Sequence, residues 1–163
     1  SGEDSVGTWM SGVLLIMSAS FAIILGIKNG WFPWSIIVSF FFLLALDEKF
    51  MFHEQLKEKI IFNSTLISPE WHLKNESPVL FGIFLGIFIT IILWRYLSYF
   101  GKYLIFFSAI LGITSAVFDI LSAGVFIEDS CKLLGELCIT CALLQEIILI
   151  DNYLLRDKSQ NRN

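Results

Sequence analysis

The residues able to do chemistry in this chain fall into two blocks and one isolated position. The stretch LDEKFMFHE, Leu46 to Glu54, supplies Asp47, Glu48, Lys49, His53 and Glu54 directly after the sixteen uncharged residues WFPWSIIVSFFFLLAL. The stretch IEDSCKLLGE supplies Glu128, Asp129, Lys132 and Glu136, and Asp119 lies between the two blocks. Carboxylates with an imidazole can hold a divalent cation, act as general base on a water, or share protons. Seven acids (Asp47, Glu48, Glu54, Asp119, Glu128, Asp129 and Glu136) face one nearby lysine, Lys132. So many anions cannot all remain charged and unpaired at one buried site, so metal, shared protons or water must compensate.

The well-defined metal patterns fail residue by residue. His53 to Lys57, HEQLK, begins like HExxH but carries Lys57 where the second histidine ligand belongs. A ferritin-like helix needs Glu three residues before its His, and position 50 is Phe50. Only His53 and His72 are present, so a bis-histidine haem is not expected, nor is a nucleotide cofactor. An oxygen-rich site suits Mg, Ca or Mn, and carboxylate mixed with His suits Fe or Zn. The cofactor expectation is therefore a divalent metal: Zn, Fe or Mn. Lys132 argues against any cation, because it already neutralises negative charge there.

These groups are positioned by an apolar chain. Of 163 residues 56% are hydrophobic, with 16 Phe, 5 Trp and a mean hydropathy of +0.74, too much for one soluble core of this size. The net charge of −4 offers no basic stripe for nucleic acid. Three cysteines form neither a disulfide framework nor a zinc spacing. The chain opens on Ser1, which reads as a processed start. Five apolar runs follow: Trp9 to Ile27, Trp31 to Leu46, Val79 to Trp94, Tyr103 to Phe118 and Leu133 to Ile150. Sixteen residues reach roughly 24 Å against a hydrocarbon core of about 30 Å, so the helices must extend into their charged flanks.

The fold expected is all-α and integral to the membrane, a compact bundle of about five transmembrane helices over residues 9–27, 31–50, 79–97, 103–124 and 130–153. A short interfacial helix is expected in the long loop, within 63–78, with Ser68 as N-cap, Pro69 at its first position and Pro78 as stop. The apolar positions Phe50, Phe52, Leu56, Ile60 and Ile61 predict that the second helix continues through Glu58. One domain spans residues 1–163. Five crossings put the termini on opposite sides. Lys28, Arg95, Lys102, Arg156, Lys158 and Arg162 then share the C-terminal side with few acids, which places that side in the cytoplasm and the N-terminus outside, in a bacterial inner membrane.

This topology gathers the ends of the second and fourth helices and the start of the fifth at the outer face. Ser108, Gly112, Ser115, Asp119 and Ser122 recur at three and four residues and form an inward stripe, making Asp119 the strongest candidate for an inward carboxylate. Lys132 can reach Asp129 at i−3 and Glu136 at i+4. A proton-transport role is weakened because the other side offers only Gln145 and Glu146 within the fifth helix. Cys138 and Cys141, in CITC, share a small-residue stripe with Cys131, Gly135, Ala142 and Gln145 and read as packing rather than redox chemistry. Gly82 to Gly86, GIFLG, is a close-packing signal, and Asn63-Ser64-Thr65 fits a glycosylation triplet.

Together, LALDEKFMFHE and IEDSCKLLGE resemble a family of small uncharacterised bacterial multi-pass membrane proteins with DDLFxLHE and EEGLKLLGI blocks. The matching positions are Asp47, Glu48, Phe50, His53, Glu54, Glu128, Asp129, Lys132, Leu133, Leu134 and Gly135, while Ser130 and Glu136 depart from the pattern. The resemblance implies no activity, only that the two blocks form one site. Two roles stay open. In the first, an outward-facing carboxylate, His and Lys site binds a divalent metal or small ligand and acts on a substrate at the membrane surface. In the second, a non-catalytic accessory subunit of a larger membrane complex carries the cluster as a structural ion-pair network. The partners expected are the lipid bilayer and another membrane protein or a second copy of the chain.

Overall fold

The computed structural model contains five helices: α1 (Val6–Asn29), α2 (Trp31–Phe50), α3 (Ser77–Trp94), α4 (Tyr99–Leu121) and α5 (Val125–Gln160). The structure describes residues 6–52, 55, 77–121 and 125–160, and no strand occurs among them. His53, Glu54, His72, Ser122, the Asn63 triplet and the expected interfacial helix lie outside the described residues. Four helices, α1, α2, α4 and α5, are long and apolar enough to cross a membrane, and α3 carries a shorter apolar stretch, Phe81–Trp94.

The helices are arranged as a ring in which each element packs on its sequence neighbours. α1 packs closely on α2 and on α5, α5 packs on α4, α3 lies against α4, and α2 touches α3 only slightly. Their directions alternate. Ser11 meets Glu136, Ser18 meets Thr140 and Lys28 meets Asp151, so α1 and α5 run parallel. Ser98 at the start of α4 meets Glu146 late in α5, while Ser108 lies against Gly135, so those two run antiparallel.

α1 buries Ser11, Leu15, Ser18, Ala22 and Leu25, a stripe spaced at three and four residues. Its small members let α1 approach two neighbours at once. The hairpin to α2 turns at Gly30, whose φ of 100° a side chain would strain. Just before it, a Cβ on Gly26 would come within 2.9 Å of Trp34 Cβ, so only glycine lets α2 close on α1 there. The core is built from Leu25, Trp34, Ile37, Phe41, Leu93, Ile105 and Leu143, all nearly inaccessible.

The second helix does not continue to Glu58. Met51 adopts φ 52° and ψ 43°, a left-handed C-cap, with its N–H donating to Asp47 O at 2.7 Å. Gln55 reinforces this stop, its Nε2 donating to Phe50 O at 2.9 Å. Phe52 and Gln55 regain helical backbone, so the chain turns at Met51 and restarts. Apolar periodicity runs through the break because it records which residues prefer burial and is blind to a single reversed dihedral.

α4 begins before its apolar run because its first turn is capped twice. Ser98 Oγ accepts from Gly101 N at 3.3 Å, and Ser98 N donates to Glu146 Oε1 at 2.6 Å. The Glu146 carboxylate, only 7% exposed, thus sits at the positive end of a helix from another segment. A Cβ on Gly101 would lie 2.9 Å from that oxygen and 3.2 Å from Leu97 Cβ. Gly101→Ala is expected to cost about 1–3 kcal/mol in detergent unfolding. Gly112→Ala, where a Cβ meets nothing within 4 Å, should be neutral or mildly stabilising. Equal losses at both positions would rule out the Glu146 cap as the cause.

Candidate functional site: a charged and hydroxyl cluster on α5

Asp129, Lys132, Glu136 and Thr140 recur at three and four residues along α5, which brings them to one face. That face meets α1, whose Ser11 and Ser18 are seven residues apart and fully buried. Ser11 Oγ donates to Glu136 Oε1 at 2.7 Å. Thr140 Oγ1 donates to the Glu136 carbonyl at 2.8 Å, which leaves Ser18 to donate to Thr140 across 2.9 Å. Two apolar helices are thereby joined by a file of hydroxyls, each with a partner.

The charged end of this file is closed by α2. Lys132 Nζ forms an ion pair with Glu48 Oε2, the side chains being 37% and 15% exposed respectively. The carboxylates of Glu136 and Asp129 also act on the Lys132 charge. Between α1, α2 and α5 remains a cleft lined by Thr8, Ser11, Glu48, Asp129 and Lys132, with room for about one water. Nearby, Lys49 of α2 lies 5.4 Å from the centroid of Trp9 on α1, a second cationic link between the same helices. One atom in the cluster has no mate: Glu136 Oε2 is buried without a hydrogen bond.

Several residues singled out in the sequence meet here and others do not. Glu48, Asp129, Lys132 and Glu136 converge. Asp47 and Glu128 are half-buried and each has an interaction of its own. Asp119 belongs to the last helical turns of α4, and His53 and Glu54 lie outside the described residues. Lys132 makes its ion pair across to Glu48 of α2 and not along its own helix. Among the described residues no three His, Cys, Asp or Glu side chains come together to hold a metal ion. The Lys132 ammonium stands among Glu48, Asp129 and Glu136, and the candidate ligands His53 and Glu54 lie outside the described residues.

The sequence reading overlooked Thr8, Ser11, Ser18 and Thr140. Their signal was available: Ser11 and Ser18, seven apart in an apolar run, share a face with Leu15, Ala22 and Leu25. The expected α4 stripe is half realised, with Ser108 and Ser115 buried and Gly112 exposed. A Cβ on Gly135 would lie 3.4 Å from Ser108 O and Ala142 is fully buried, so the small-residue stripe of α5 does pack. All three cysteines are free, and Cys141 is exposed. Gly82 and Gly86 have no atom within 4 Å of a would-be Cβ, so the GIFLG signal packs nothing among the described residues.

Fold and cluster define an all-helical protein in which four helices are long and apolar enough to cross a membrane and a polar seam runs down the α1–α5 interface. The chain belongs to the family described as Domain of unknown function (DUF8692), whose model matches residues 4–147 and so includes both acidic blocks. No curated protein and no solved structure matches it.

Proposed function

We propose that this chain is a non-catalytic, multi-pass membrane subunit, and that its charge cluster is a clamp holding α1, α2 and α5 together at the outer face. The observation that carries this reading is the Lys132–Glu48 ion pair, which closes the cluster around space for about one water. A substrate or hydrated cation needs more room and uncommitted ligands. Here the ammonium is taken by Glu48 and one Glu136 oxygen by Ser11.

The chain crosses the bilayer five times, with the N-terminus outside and the C-terminus in the cytoplasm of a bacterial inner membrane. Alternating helix directions support this, as does the gathering of Lys28, Arg95, Lys102 and Arg156 at the end opposite the cluster. The bands of exposed Phe, Ile and Leu around the bundle suit lipid and a neighbouring membrane protein.

Elemental analysis of protein purified without chelator tests the proposal directly. The expected result is no stoichiometric Zn, Fe or Mn, in the wild type or after soaking. Near-stoichiometric metal that is lost in both Glu54→Ala and Asp119→Ala would replace the clamp with a metal site. Native electrophoresis of mild membrane extracts should find the chain in an assembly well above its 18.6 kDa. Migration as a lone monomer would remove the subunit role.

A further inference from the structure

At the turn joining α3 to α4, far from the cluster, positive charge is left uncompensated. Arg95 is exposed on the turn itself, and Lys102 lies one turn into α4 with its Nζ 6.0 Å from the Trp94 ring centroid. Neither has a carboxylate partner among the described residues. Among the side chains described at this end, Asp151 is committed to Lys28 and Glu146 to the Ser98 N–H. Tyr99, Lys102 and Tyr103 stand at i, i+3 and i+4, so they form one surface patch beside Trp94. Tyr103 donates its hydroxyl proton to Tyr99 at 2.8 Å, which leaves the Tyr99 O–H able to donate to a further acceptor. Tyr99 and Tyr103 are 76% and 56% exposed, and Trp94 is 44% exposed.

We infer that this patch is a binding site for the headgroup of an anionic phospholipid. Arg95, Lys102 and the Tyr99 hydroxyl supply donors to the phosphate, and Trp94 and Tyr103 lie at the depth of the headgroup boundary. The source is a lipid rather than a soluble phosphate because the donors ring the end of apolar helices instead of a closed pocket. Exposed aromatic rings beside them are the usual occupants of the bilayer interface. The inference rests on the membrane reading above, in which this end is the cytoplasmic one, where anionic lipid attracts basic residues.

The test uses the full chain in detergent and in vesicles of phosphatidylcholine with or without phosphatidylglycerol. Lipid retention is read by native mass spectrometry and by thermal unfolding. A basic group near the surface is worth about fivefold in affinity. Arg95→Gln with Lys102→Gln should therefore weaken phosphatidylglycerol retention about 25-fold and abolish its advantage over phosphatidylcholine. Lys28→Gln, which removes a charge already paired at the same end, should leave retention within about twofold. An unchanged preference in the double variant overturns the site, and so does an equal loss in Lys28→Gln, which would mean diffuse charge attraction. Equal stabilisation by inorganic phosphate without lipid overturns the lipid as occupant. Alkaline carbonate extraction separates the two levels: release of the chain from membranes sinks the membrane reading itself, whereas retention with no phosphatidylglycerol preference sinks only this site.

Discussion

Lys132→Ala is expected to lower unfolding stability by about 2–4 kcal/mol, near the lower part of the range for a buried pair that loses one partner. The mechanism is an orphaned charge: Glu48, 15% exposed, keeps its carboxylate but loses the ammonium that holds it among α1, α2 and α5. The 37% exposure of Lys132 keeps the loss below that of a fully enclosed pair. Lys132→Met combined with Glu48→Gln should recover more than half of the loss, since removing both charges leaves neither member of the pair orphaned. Denaturant titration in one detergent, run as a double-mutant cycle, measures this. Losses that simply add would mean that the two groups are solvated separately and the clamp does not exist.

Trp34→Ala should be comparably damaging, at about 3–5 kcal/mol, because it empties the largest fully buried side chain among the described residues. The informative partner is Trp34→Phe, expected to cost under about 1.5 kcal/mol. Trp34 is 1% exposed, its ring lies 5.7 Å from that of Tyr96, and its Nε1 has no hydrogen-bond acceptor. Phenylalanine therefore keeps an aromatic contact, loses volume and gives up no hydrogen bond. It even relieves an unsatisfied donor, an offset of about 1–3 kcal/mol. Thermal unfolding of both variants decides. A Phe variant as unstable as the Ala variant would show that the indole N–H holds an ordered water whose loss is costly.

What the sequence made legible is what depends on local composition. Apolar runs announce five helices, and the short link around Gly30 announces the first hairpin. Dependence on rotation about a helix axis is where legibility stops. Glu48 and Lys132 were each visible as charges, but their pairing depends on how α2 and α5 are turned toward α1. Glu146 was visible only as one of two polar neighbours, with Gln145, in an apolar run, and its role as a cap emerges only when α4 is placed antiparallel beside it. Ser11 and Thr140 look unremarkable singly and matter as partners across a distant interface. Met51 escaped because no residue type signals a left-handed methionine. Where the two charged blocks meet among the described residues, Glu48 of the first and Lys132 of the second form an ion pair.

The parallel pairing of α1 with α5 sets an order of events during synthesis. Ser11 and its partner Glu136 are 125 residues apart, and Ser18 and Thr140 are 122 apart. When α1 and α2 first emerge, their hairpin can close at once through Gly26 and Trp34, but the hydroxyls of α1 have nothing to bond. They must wait until α5 has been translated. Until then the nascent chain is a closed hairpin carrying an exposed polar seam, and it is α5 that completes α1. Contacts of such long sequence separation form slowly, so truncation within α5 should leave a chain with α1 unsatisfied, a natural target for membrane quality control.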